Sequence, residues 1–186
     1  YNETTMQDIM LLSGLSKGAI YHYFKSKQEI LDYYINSQKK LVTNQLKDLA
    51  ENPTLTAKQK IENIIDQLFS NESLIELTGN KWAEKVPFAL LDTLRNSLNV
   101  LSGYIEEILE QGNIDGEFAC IYPKEVSQIL IVLIDIWLDP VIVNSSYEEM
   151  CNKVDFIILF LRKLEIPIIS DESGQKIKER LKCYYV

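Results

Sequence analysis

The pattern of apolar and polar positions is helical along most of this chain. Across residues 27–50, Leu31, Tyr34, Ile35, Leu41, Val42, Leu46 and Leu49 recur by threes and fours, and Asn52-Pro53 ends the run. Thr56 predicts the cap of a next helix, with Ile61, Ile64, Ile65, Leu68 and Phe69 on its buried side. Residues 70–86 are less regular, with a short helix expected over 73–78 and a break at Gly79-Asn80. Pro87 then opens a long helix to about Gln111, carrying Leu91, Leu94, Leu98, Leu101, Ile105 and Ile108. Residues 112–116, with Gly at both ends, predict a turn.

The next segment is more apolar than one helix face requires. Pro123 suits a helix first turn, and ten of the thirteen residues 126–138 are apolar, so no polar face is left over. The β-branched run 129–134 suggests a buried strand, but nothing nearby could pair with it. The run is also too short for a membrane span and contains Asp135. It predicts a helix covered on both sides, stopped by Pro140. Ser146 begins another, whose Val154, Phe156, Ile157, Ile158, Leu159, Phe160, Leu161 and Leu164 cover nearly the whole circumference. One monomer core cannot easily bury both faces of two such helices, whereas a second copy can. Ile129, Val132, Leu133, Ile136, Phe156, Ile157, Phe160 and Leu164 are the residues expected at that interface. A last helix over residues 171–182 is amphipathic and polar enough to be peripheral. The fold class predicted is all-α.

The chain start is different in kind: it is short, punctuated and polar. Thr5 can cap a first helix, Ile9 and Leu12 give that helix an apolar side, and Gly14 breaks it. Ser16 can cap a second helix running to about Phe24, and Ser26 a third opened by Lys27. Helix, Gly-containing turn and capped helix make the helix-turn-helix plan, whose second helix enters the DNA major groove. At 100° per residue Ile20 and Phe24 fall together on the inner side. Gly18 and His22 lie opposite with Ala19 close to them, and Tyr21 and Tyr23 sit on the flanks. Lys17, Lys25 and Lys27 bracket the helix, Lys17 in the first turn where free N–H groups already favour a phosphate.

Thr4-Thr5, Asp8-Ile9, the run Gly14-Leu15-Ser16-Lys17-Gly18 and the run from Tyr21 to Lys27 together resemble the signature of the tetracycline-repressor (TetR) family of transcriptional regulators. The resemblance is dense over roughly the first 35 residues and architectural beyond them. It implies that Thr5, Ser16, Lys17, Tyr21, His22, Tyr23 and Lys27 lie at DNA phosphates, with Gly18 and Ala19 nearest the base edges. Many members carry Thr or Asn where this chain has Ala19, which limits direct readout there to apolar contact with a thymine methyl. The family has a further helix before the point at which this chain begins, at Tyr1 without Met, so that helix is expected outside the numbered sequence. The resemblance also implies a DNA-binding domain over 1–46 and an effector-binding and dimerisation domain over 47–186. It implies, too, a four-helix dimer interface built from two C-terminal helices per subunit. In the family a pocket in the helical body takes a small-molecule effector, and here Phe69, Trp82, Phe88, Tyr104 and Trp137 are the available aromatics. Repression of a near-palindromic operator is the family's habit.

Charge sharpens the division. The net charge of −8 looks wrong for a DNA-binding protein until it is divided. Residues 1–27 carry Lys17, Lys25 and Lys27 against Glu3 and Asp8, a net +1, which leaves −9 on the rest. The acidic bulk keeps the body off DNA while the basic tip can approach it. Three Cys at no ligand spacing argue against a disulfide framework or a metal site, and no cofactor is implied. Cys120 or Cys151 as a redox sensor is the minor alternative to a buried or incidental thiol. With no signal peptide visible the chain reads as cytoplasmic, with no membrane partner. No phosphate loop, GxSxG or HExxH is present, and the lone His lies in the reading helix, so no catalytic residue is assigned. The rival to a DNA-binding regulator is a ligand-binding or interaction module that no longer uses its DNA head.

Overall fold

Short polar side chains set the helix starts. The computed structural model describes residues 3–70, 87–140 and 142–185, the side chains of 69, 70 and 87 excepted, and the described residues are helical without a strand. The expected helix at 73–78 and the Gly79-Asn80 break lie outside them, as do Trp82 and the Phe69 side chain. Two compact units are formed, Tyr1–Val42 and Thr43–Val186. The division falls within one long helix, a few residues before the boundary expected after residue 46.

In the first unit Thr5 caps α1 (Met6–Ser13) through a reciprocal box. Its Oγ1 accepts from the Asp8 N–H at 3.2 Å, and its own N–H donates to the Asp8 carboxylate at 2.7 Å. Gly14, at φ 67°, ends the helix in the left-handed conformation that its lack of Cβ permits. Ser16 caps α2 (Lys17–Tyr23), accepting from the Ala19 N–H at 3.2 Å. Ser26 caps α3 (Lys27–Ala50), accepting from the Glu29 N–H at 3.2 Å. Ile20 is buried, and Phe24 turns its ring edge-on to Tyr33 at 5.4 Å. The apolar side expected on α1 is only partly realised. Ile9 is half-buried, but Leu12 is 87% exposed and no α1 residue is buried.

The second unit has a true core. Thr56 caps α4 (Ala57–Ser70) as expected, accepting from the Gln59 N–H at 3.3 Å. A second anchor is tertiary: the Glu117 carboxylate accepts from the Ala57 N–H at 2.8 Å. Buried Lys60 donates to the Ala50 carbonyl at 2.6 Å, satisfying the end of α3. Beyond residue 86 the helices are α5 (Pro87–Asn96), α6 (Ser102–Ile114), α7 (Pro123–Val132), α8 (Tyr147–Lys163) and α9 (Asp171–Leu181). Ile61, Ile108, Leu109, Leu130, Met150, Val154, Leu161 and Leu181 belong to the one cluster that they bury.

Three expectations are corrected here. The helix opened by Pro87 runs on to Ile114, through Gly112 and Asn113, rather than stopping near Gln111. Gly112 serves packing, because a Cβ there would run into the Phe118 ring. Asn113 reaches forward instead, donating to the Cys120 carbonyl at 2.8 Å and accepting from its N–H at 2.7 Å. Second, the helix is not uniformly α: a π turn, Ser97–Leu101, joins α5 to α6, and another, Leu133–Trp137, ends α7. Third, α9 is not merely peripheral. Ser173, Gly174, Ile177 and Leu181 are buried where it packs on α8 and α4, and a Cβ at Gly174 would strike Ile158.

Candidate nucleic-acid interface

The outward side of α2 follows from its cap and its one buried side chain. With Ile20 fixed inward, Lys17, Gly18, Tyr21, His22 and Tyr23 are exposed and Ala19 is half-buried. Lys17 lies over the Tyr21 ring, its Nζ 5.8 Å from the centroid, and the His22 and Tyr23 rings meet edge-on at 4.9 Å. Among the described residues nothing lies within 4 Å of a Cβ placed on Gly18, so no packing among them demands glycine there. A helical glycine costs about 0.5–1 kcal/mol relative to alanine, so the chain gains nothing for its own fold by keeping it.

The predicted site residues therefore divide. Ser16, Lys17, Gly18, Ala19, Tyr21, His22 and Tyr23 are brought together on or beside one short helix. Thr5 stands at the start of α1 with its hydroxyl donating to Asp8 at 2.7 Å, a bond that holds the Asp8 carboxyl below its usual range. The Lys27 ammonium donates to the Thr4 carbonyl at 3.1 Å and so ties the start of α3 to the start of α1. Sequence reasoning missed that bond, since nothing local links positions 4 and 27.

Of the aromatics expected in the effector pocket, Phe88, Tyr104 and Trp137 are among the described residues. Phe88 is 88% exposed, while Tyr104 and Trp137 are half-buried against the core. A void of about 30 Å³ lies elsewhere, between α4, α7, α8 and α9. Its lining, Ile65, Leu130, Leu133, Ile134, Leu138, Val154, Ile157, Ile158, Ile169 and Ile177, offers no hydrogen bond. Among the polar groups of the body is Asp135, half-buried in the second π turn and acted on by the Ser97 hydroxyl in the first. Burial pushes the Asp135 carboxyl above its ordinary value; the Ser97 bond acts against that, and the Asp139 charge adds to it. Burial likewise pushes the Cys120 thiol up, away from the thiolate a redox sensor needs.

Of the residues expected at a dimer interface, Ile129, Phe156 and Leu164 are exposed and Val132, Leu133, Ile136 and Phe160 half-buried. Ile157 is corrected: it is buried in the monomer core and is not on the outward face. Leu159, not among those expected, is 56% exposed. Trp137 meets Phe156 edge-on at 5.6 Å, and Phe156 stacks on Phe160 at 6.0 Å, making an apolar surface that spans α7 and α8. Among the described residues no cluster of His, Cys, Asp and Glu could hold a metal, and no helix is long and apolar enough to cross a membrane.

No curated protein matches the chain. A family model does, that of the bacterial regulatory proteins of the tetR family, over residues 1–34. The matched stretch contains α1, α2 and the start of α3, the segment whose caps and exposed face are described above. The body lies outside the match, so the likeness to the DNA-binding transcriptional regulators of the tetR family is that of the head.

Proposed function

We propose that the chain is a ligand-responsive, sequence-specific repressor that binds a near-palindromic operator as a homodimer and is released by a small molecule. The observation that carries the DNA side is the face of α2: a Gly18 that the fold does not need, between Lys17 and the exposed rings of Tyr21, His22 and Tyr23. Gly18 and Ala19 let the backbone approach base edges. Thr5, Ser16, Lys17, Tyr21, His22, Tyr23 and Lys27 are assigned to phosphates, Lys27 in addition to its bond to Thr4. A homodimer is supported by the outward apolar surface of α7 and α8, and it sets two reading helices on successive half-sites. Release is a population shift: the effector must bind the non-DNA-binding arrangement better than the DNA-binding one. Such a regulator has no catalytic role and works in the cytoplasm, beside the DNA.

The test is a Gly18→Ala variant. The fold should be as stable as the original or slightly more so, while specific DNA binding falls at least tenfold. Unchanged DNA binding would remove α2 from the interface.

A further inference from the structure

One position breaks the apolar stripe of α8. Phe156, Phe160 and Leu164 follow one another by fours, and Lys153, three residues before Phe156, starts the same stripe with a charge. Lys153 is half-buried, and its ammonium is bonded inside the chain. It donates to the Trp137 carbonyl at 3.0 Å and to Ser145 Oγ at 2.9 Å, and it lies 3.7 Å from Met150 Sδ. The same nitrogen sits over the Trp137 ring, 5.4 Å from its centroid. Trp137 closes the π turn that ends α7, where carbonyls lack helical partners and a positive charge is favoured. One side chain of α8 thus holds both the backbone and the ring face of Trp137.

These bonds decide what Trp137 meets. Its ring stands edge-on to Phe156 with centroids 5.6 Å apart, and Phe156 stacks on Phe160 at 6.0 Å. Phe156 is exposed while Trp137 and Phe160 are half-buried, so the row of rings keeps an open side. Rings from two helices make one surface only while the end of α7 keeps its place beside α8. Packing alone does not call for lysine on this stripe, because methionine would bury a similar stem and leave no charge to satisfy. The ammonium adds direction, since it fixes a carbonyl, a hydroxyl and a ring face at once. Side chains held beforehand in their bound geometry lose less freedom when a partner arrives, so association strengthens without a new contact.

We propose that Lys153 is the positioning residue of the self-association surface. It holds Trp137 against Phe156, so that Trp137, Phe156 and Phe160 stand as one row for a second copy of the chain. The proposal rests on reading the outward side of α7 and α8 as the homodimer face, and it moves Trp137 from the effector pocket to that face. Lys153 acts through Trp137 rather than by contact with the partner.

The experiment is a double-mutant cycle on dimer dissociation, read by sedimentation of the whole chain over a range of concentrations. Lys153→Met keeps the stem and removes the ammonium; it should weaken the dimer about tenfold or more, and Trp137→Leu at least as much. The double variant should be no weaker than Trp137→Leu alone, and Lys153→Arg should restore the dimer to within a few-fold. In a Trp82→Phe background Trp137 is the one tryptophan. There Lys153→Met should red-shift the emission and lower its anisotropy, at dilutions where both proteins are folded monomers. Should Lys153→Met lose its helicity, Ser145→Ala takes its place in the cycle, with a loss of a few-fold that Trp137→Leu again absorbs. Losses that multiply in the double variant, or a variant dimer as tight as the original, would overturn the positioning role and leave the homodimer standing. An unaltered chain that stays monomeric at every concentration would overturn the homodimer reading and this proposal with it.

Discussion

The head and the body of this protein are built on opposite economies. Residues 1–42 bury Ile20 and Ile35, and α1 buries nothing. Their order comes from caps, Thr5 with Asp8, Gly14, Ser16 and Ser26, each bonding within a few residues of itself. The body puts Leu109, Met150, Leu161 and Leu181 at 1% exposure or less, and its caps are joined by tertiary anchors such as Glu117 on α4. A surface that must meet DNA spends its residues outward and keeps its local geometry cheap. A body that responds to a ligand, as proposed, needs a core that can move between packings.

The largest effect that would break this contrast is a core truncation. Leu161→Ala should cost about 2–5 kcal/mol, read by urea unfolding, because a fully buried leucine leaves a cavity. Leu12→Ala in the head should stay within about 0.5 kcal/mol, as suits an exposed side chain. If the two costs matched, the head would have a core that its exposures do not show. Next in size is the outward face of the body. Phe156→Asp should shift the protein to monomer by sedimentation while leaving its helicity unchanged, at a cost to association of about 2 kcal/mol or more. A dimer that survived would remove the α7–α8 surface from the interface.

Smaller effects sharpen the picture. Lys17→Ala should weaken DNA binding across all sequences and lower the slope of log affinity against log salt by about 1 per copy, read by titration at several salt concentrations. Asp135→Asn should raise the melting temperature at neutral pH. Burial raises the carboxyl's pKa in the folded state, so the ionised form works against folding above that pKa, and asparagine removes the charge. The smallest effect is common to both regions. Asp8 and Glu149 close capping boxes at α1 and α8, and each is held below its usual range by hydrogen bonds from Thr5 and from Ser146. The stability they add is complete above the ordinary carboxylate pKa and fades as pH falls through the lowered value. Acid titration of helicity should show a loss that Asp8→Asn and Glu149→Gln abolish at their own helices.

The same division explains what could be read before the fold was seen. Thr5, Gly14, Ser16, Ser26 and Thr56 act on backbone a few positions away, so their spacing carries the message. Gly112 and Asn113 look like a turn because their true partners, Phe118 and Cys120, reach them only after the chain doubles back. The π turns were illegible for a related reason: one extra residue per turn leaves a run as apolar as 126–138 looking the same. Ring chemistry says nothing of where a ring points, and of the described aromatics Phe88 points to solvent while Tyr104 and Trp137 lie against the core. Ile157 was misassigned because an all-round apolar helix does not disclose which of its sides meets its own core.

The most direct test of the central claim is a selection of random genomic fragments by the purified protein, followed by a mobility shift on whatever is recovered. One enriched near-palindromic motif is expected, bound as a discrete complex of dimer mass that weakens steeply with salt and is lost in Gly18→Ala. Recovery of fragments with no shared motif, or a motif bound equally well by Gly18→Ala, would contradict it.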